Sequence, residues 1–119
     1  MALLQEALVA YTMTAVSREE EPDAILFVRQ DGKRFILRHN QDCCEDVRLV
    51  DVTGDLQDLV DTPILVADER SVDATTGERD GAEEWTFYVF RTLKGTVTLR
   101  WCGESNGYYG TGVDFTEED

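Results

Sequence analysis

Two apolar runs, AILFVRQ at 24–30 and KRFILRH at 33–39, flank Asp31-Gly32. That dipeptide is the strongest short signal for a two-residue hairpin. With such a turn Gln30 faces Lys33, Val28 faces Phe35, Leu26 faces Leu37 and Ala24 faces His39. Side chains alternate between the faces of a strand. Leu26, Val28, Phe35 and Leu37 therefore make one apolar face with His39 at its end, and Arg29, Arg34 and Arg38 take the wetter face.

Residues 47–52 (VRLVDV) predict another strand. Thr53-Gly54-Asp55 offers a helix start, and 55–60 one or two helical turns. Leu56, Leu59 and Val60 share one side of it and Asp55 and Asp58 the other, with Asp55 placed where negative charge suits a helix N-terminus. Pro63 closes the element and 64–67 begins the next strand. The stretch 68–84 (DERSVDATTGERDGAEE) is polar and almost free of large apolar residues, which predicts a mobile loop.

Residues 85–91 (WTFYVFR) and 96–103 (TVTLRWCG) form a second hairpin about Lys94-Gly95. A two-residue turn pairs Thr92 with Val97, Phe90 with Leu99 and Tyr88 with Trp101, giving one continuous apolar face. Trp85, Phe87 and Val89 on the reverse face predict a central strand covered on both sides. Ser105-Asn106-Gly107 is a third turn before a last strand in which Tyr109, Thr111, Val113 and Phe115 share a face; an acidic tail follows at 116–119. Near the N-terminus LLQEAL has helical propensity, whereas 11–16 alternate like a strand, so the pattern leaves residues 1–20 open.

These elements predict a β-dominated α+β domain of six or seven mostly antiparallel strands with one short helix near 55–60. A curved sheet or partly open barrel is the first arrangement and a sandwich the second. A length of 119 residues with eleven aromatics supports one domain over 1–119 with an ordinary core. No apolar run approaches the ~20 residues that cross a bilayer. The first residues carry an acid rather than lysine or arginine, unlike a signal peptide, and a cytoplasmic location is expected.

The net charge of −14 changes the functional picture. Residues 41–84 hold fourteen acids against three bases, whereas 1–40 hold six against five and 85–119 five against three. Direct binding to a phosphate backbone needs clustered lysine and arginine and is disfavoured. A partner with a basic surface, such as one that itself holds nucleic acid, is favoured, and self-association is compatible with the composition. Within the acidic third, Asp51, Asp55, Asp58 and Asp61 recur every three or four residues. Helical neighbours at that spacing lie roughly 5–6 Å apart, near the separation of successive phosphates, so these carboxylates could occupy a nucleic-acid groove on a partner. The solvated face of a small amphipathic helix explains the same spacing. Asn106, Tyr108 and Tyr109 in SNGYYG have the composition of adaptable contact surfaces.

His39, Cys43 and Cys44 are the candidates for chemistry. They are ligands that suit zinc, and a metal-stabilised structural or regulatory domain is the alternative function. Adjacent cysteines point apart in an extended chain, however, and a fourth ligand would have to come from elsewhere. A buried thiol packing as a small apolar group explains the pair more simply. Three cysteines form an odd count with no export signal, so reduced thiols are expected. A Cys-His nucleophile is opposed by the surrounding acids, which raise a thiol's pKa. Gly103-Glu104-Ser105-Asn106-Gly107 fits G-x-S-x-G, but no histidine follows it and the glycines fit a hairpin turn. No enzymatic activity is expected, and no cofactor other than zinc.

HNQDCCEDV at 39–47, VTGDLQDLVDTPIL at 52–65, EWTFYVFRTLKGTVTLRW at 84–101 and GESNGYYGTGVDF at 103–115 together resemble a family of small uncharacterised bacteriophage and prophage proteins. The resemblance spans residues 38–115 and is weaker in the first forty residues and in 68–84. No activity comes with that family. It implies a phage accessory protein in the cytoplasm of an infected bacterial host, one that binds and modulates a host protein. The expected surface is Asp51, Asp55, Asp58, Asp61, Asn106, Tyr108 and Tyr109, and the target could be a nucleic-acid-binding or defence factor.

Overall fold

The computed structural model describes residues 4–19, 23–40, 46–74, 82–105 and 113–118. The chain is β-dominated. The order is α1 (Leu4–Leu8), β1 (Met13–Glu19), β2 (Ala24–Arg29), β3 (Arg34–Arg38), β4 (Asp46–Thr53), a 3₁₀ turn (Leu56–Leu59), β5 (Val66–Ala74), β6 (Ala82–Arg91), β7 (Thr96–Ser105) and β8 (Asp114–Glu118). Both tendencies read near the N-terminus are realised in succession: LLQEAL supplies the helix and 11–16 lead into β1.

Two antiparallel sheets form, β1-β2-β3-β8 and β4-β7-β6-β5, and both stay open rather than closing into a barrel. Their inner faces share one core that includes Val16, Ile25, Phe27, Phe35, Leu37 and Phe115 from the first sheet and Leu49, Tyr88, Phe90, Leu99 and Trp101 from the second. An aromatic chain crosses between them. Phe35 stacks on Phe115 at 5.4 Å, Phe115 meets Phe27 at 6.1 Å, and Phe27 meets Phe90 of the other sheet at 5.4 Å. Such pairs add about 0.5–1.5 kcal/mol each beyond the area they bury.

The first hairpin differs from its expected register by one residue. Phe27 faces Phe35, Ile25 faces Leu37 and Ala24 faces Arg38. The loop is the three residues Gln30-Asp31-Gly32, closed by Arg29 N–H to Lys33 O at 2.8 Å and Gly32 N–H to Arg29 O at 2.9 Å. Gly32 has φ +92°, the left-handed position that ends such a three-residue loop. The extra loop residue turns β2 over. Ile25 and Phe27 are fully buried in place of Leu26 and Val28, and Arg29 comes to the inner side. Arg34 and Arg38 stay exposed as expected, and His39, one residue beyond β3, is half-buried.

The second hairpin is displaced by two in its pairing. Arg91 faces Thr96, Phe90 faces Val97 and Tyr88 faces Leu99 about a four-residue loop closed by Thr92 N–H to Gly95 O. An even displacement leaves the faces unchanged, so the apolar set read from the sequence is the buried one, with Trp85, Phe87 and Val89 half-buried behind it.

The expected loop and the expected tail are both partly strand. Within 68–84, β5 runs on to Ala74 and β6 begins at Ala82, because nine successive pairs from Val66 and Arg91 to Ala74 and Glu83 hold this polar segment in a ladder. Residues 75–81 lie outside the described residues. The tail at 116–119 likewise belongs to β8 as far as Glu118, with Thr116 facing Ile36 and Glu117 facing Phe35. Backbone pairing with an already folded neighbour orders both segments despite their polar composition.

Candidate functional site

The acidic segment is built around the end of β4. Gly54 has φ +99°, and a Cβ there would press on the Thr96 carbonyl, so glycine is required. Asp55 is extended and accepts the Gln57 N–H at 2.9 Å, as an N-cap does. The turn that follows is 3₁₀, with Asp58 N–H to Asp55 O at 2.9 Å and Val60 N–H to Gln57 O at 3.2 Å. Leu59 and Val60 are buried and Leu56 packs against the core, which is the split of faces that the sequence predicts.

The four carboxylates do not share a helical face. Asp51 is an exposed residue of β4 opposite Arg100, and it accepts the Thr53 hydroxyl at 3.2 Å. Asp55 is the exposed cap. Asp58 is half-buried; a Cβ on Gly95 would approach its Oδ2 to 2.7 Å, so the carboxylate lies against the β6–β7 loop. Asp61 is exposed in the left-handed region, φ +63°, and its N–H binds Met13 O at 2.9 Å. One 3₁₀ turn is too short to line up four acids, and the helical spacing expected for them does not apply. Asp51, Asp55 and Asp61 remain at the surface, and Asp58 belongs to the packing.

That packing is specific. The Thr92 hydroxyl donates to Asp58 O at 2.5 Å and accepts from Lys94 N–H at 3.1 Å, while Lys94 Nζ donates to Val60 O at 2.7 Å. The 3₁₀ turn is thereby fixed to the β6–β7 loop, and the Lys94 ammonium is spent on a carbonyl.

Asn106, Tyr108 and Tyr109 lie outside the described residues, as do Cys43 and Cys44. His39 stands half-buried at the end of β3. Cys102 is buried on β7 between Arg48 and Trp85, outside the main core cluster. Among the described residues no group of three or more His, Cys, Asp or Glu side chains could hold a metal ion, and no helix is long and apolar enough to cross a membrane.

Pattern reading missed a buried cation. Arg29 is 7% exposed. Its Nε and Nη2 donate to Asp31 at 3.0 and 2.6 Å, and its Nη1 donates to Ala7 O at 3.0 Å. The guanidinium also lies 3.9 Å from the Tyr11 ring centre. Asp31 holds the Arg29 pKa above its ordinary value, and Arg29 in turn lowers the Asp31 carboxyl to about 2. Burial pushes the Tyr88 phenol well up, and the Glu69 carboxylate adds to it. Arg29 joins α1 to the first hairpin. Only the correct loop length would have turned it inward in a sequence reading.

No curated protein and no solved structure matches this chain. Residues 6–115 match a family described as a domain of unknown function, DUF7448, and the chain belongs to that family.

Proposed function

We propose that this domain is a non-enzymatic accessory protein of phage type that binds a host protein and modulates it through an acidic surface. The observation that supports this reading most directly is the exposure of Asp51, Asp55 and Asp61 around one short turn in the most acidic third of the chain. Asn106, Tyr108 and Tyr109 add contact area in this reading. The partner carries a basic surface, as a nucleic-acid-binding or defence factor does, and the meeting takes place in the cytoplasm of an infected bacterial host. Electrostatic attraction of this kind sets association rate and orientation, and salt screens it.

The test is affinity capture from host lysate at low and high salt, with wild type beside Asp51→Asn/Asp55→Asn/Asp61→Asn. Asp58 is left in place because its carboxylate packs against Gly95. A partner retained at low salt, released at high salt and lost with the triple variant is the expected result. Association indifferent to both salt and the substitutions overturns the reading.

A further inference from the structure

Each sheet has two outer strands, and three of the four edges are broken in register or short, which opposes strand addition. β1 has a register break between Met13 and Ala15. β4 has one between Leu49 and Asp51, and beside it Leu49 N–H binds Asp23 Oδ2 at 2.9 Å while Leu49 O accepts Arg18 Nη2 at 3.2 Å. β8 has only five residues, three of them acids. β5 is unlike these. All nine of its residues pair with β6 without a break, and among the described residues no strand lies along its other side.

The start of that edge already shows how a neighbour would sit. Ile64 N–H binds Tyr11 O at 3.0 Å and Ile64 O accepts Ala10 N–H at 2.8 Å, so the segment before β1 already bridges the residues that lead into β5, Val9 with Ile64 and Thr12 with Pro63. Ala10 has φ +72°, uncommon for a residue other than glycine, asparagine or aspartate. Between α1 and β5 a shallow groove opens, lined in part by Val9, Tyr11, Leu65 and Ala67. Tyr11 and Leu65 are 42% and 47% exposed, among the largest apolar exposures of the described residues. Glu6 and Asp68 also line the groove, and no basic side chain does.

We infer that β5 accepts an added strand from another protein, an extended peptide in which lysine or arginine alternates with apolar residues. Its backbone would bond the free edge of β5, its apolar side chains would rest on Tyr11 and Leu65, and its cations would meet Glu6 and Asp68. This is the physics of β-strand addition, in which main-chain bonds give affinity and alternate side chains give specificity. A second copy of the chain fits less well, since two molecules of net charge −14 repel each other. The inference uses none of the acids at 51–61.

The test is an NMR titration of the full chain at low salt with an acetylated decapeptide in which lysine alternates with valine and threonine. Amide shifts should concentrate at Glu6 and at residues 65–70. Methylating the backbone nitrogens of one alternate set of peptide residues should weaken binding about tenfold, as loss of one or two hydrogen bonds does. Methylating the other set should leave binding unchanged. Asp68→Lys and Leu65→Ser, both at exposed positions, should each weaken binding, whereas the triple Asn variant should bind as wild type does. Shifts centred on 51–61, indifference to methylation of either set, or β5 amides protected in a dimer of the free chain would each overturn the inference. Such a failure leaves the lysate capture untouched, because that experiment reads Asp51, Asp55 and Asp61.

Discussion

Arg29 closes a run of apolar residues, and its side chain is 8% exposed while that of its partner Asp31 is 46% exposed. The pair is bidentate, and the remaining nitrogen of the guanidinium, Nη1, donates to a backbone carbonyl of α1. Lysine cannot reproduce that planar fork or its stacking on Tyr11. Arg29→Lys should therefore cost about 1–3 kcal/mol in urea unfolding, leaving Ala7 O or Asp31 unsatisfied. Because folding lowers the Asp31 carboxyl from 3.8 to about 2, its contribution is complete above pH 3.8 and is lost as pH falls toward 2. The gap in Tm between wild type and Asp31→Asn should narrow over that window; a constant gap would deny the ion pair. Asp61 makes a separate point. Its left-handed backbone suits Asp, Asn or Gly, so Asp61→Asn should leave thermal stability unchanged, whereas Asp61→Ala should cost about 1 kcal/mol.

Among the elements, the two hairpins show what a turn decides. Both carry a glycine that favours a tight turn, and both use longer loops than two residues. One extra residue in the first reverses which side chains of β2 are buried. A displacement of two in the second reverses nothing. The β6–β7 loop is longer because it serves the 3₁₀ turn: Thr92 and Lys94 both reach back to its carbonyls. Thr92→Val should cost about 1–3 kcal/mol by stranding the half-buried Asp58 O and the Lys94 N–H, read as a lower Tm with little change in far-UV circular dichroism. Gly54→Ala should cost more, since the residue has positive φ and a Cβ would strike the Thr96 carbonyl. Wild-type stability in that variant would contradict the described junction.

For the molecule as a whole, two forces act at different places. Phe27 is fully buried and meets Phe90 and Phe115, so Phe27→Ala should cost about 3–5 kcal/mol in urea unfolding. A fully buried position that tolerated alanine would argue against two sheets sharing one core. The surface carries the charge instead, with Asp51, Asp55 and Asp61 exposed. Repulsion among them opposes the compact state, so moderate salt should raise Tm while weakening capture of a basic partner. The same addition of salt thus separates stability from binding.

The strands β2, β3, β4, β6 and β7, the apolar faces of β3, β6 and β7, and the split of Leu56, Leu59 and Val60 from Asp55 were legible in the order of residues. They depend on local period alone. The face of β2 was not, because one loop residue decides it and several loops satisfy Asp31-Gly32. Nor were β5 beyond residue 67 and β8 beyond Phe115, where ladder bonds from β6 and β3 order polar chain that has no local reason to be extended. The acids were visible as a spacing, but the tertiary structure sorted them, drawing Asp58 into a junction and leaving Asp51, Asp55 and Asp61 in water. Local pattern dictates which side chains seek the interior; only the assembled sheets decide how many residues each turn must hold for them to reach it.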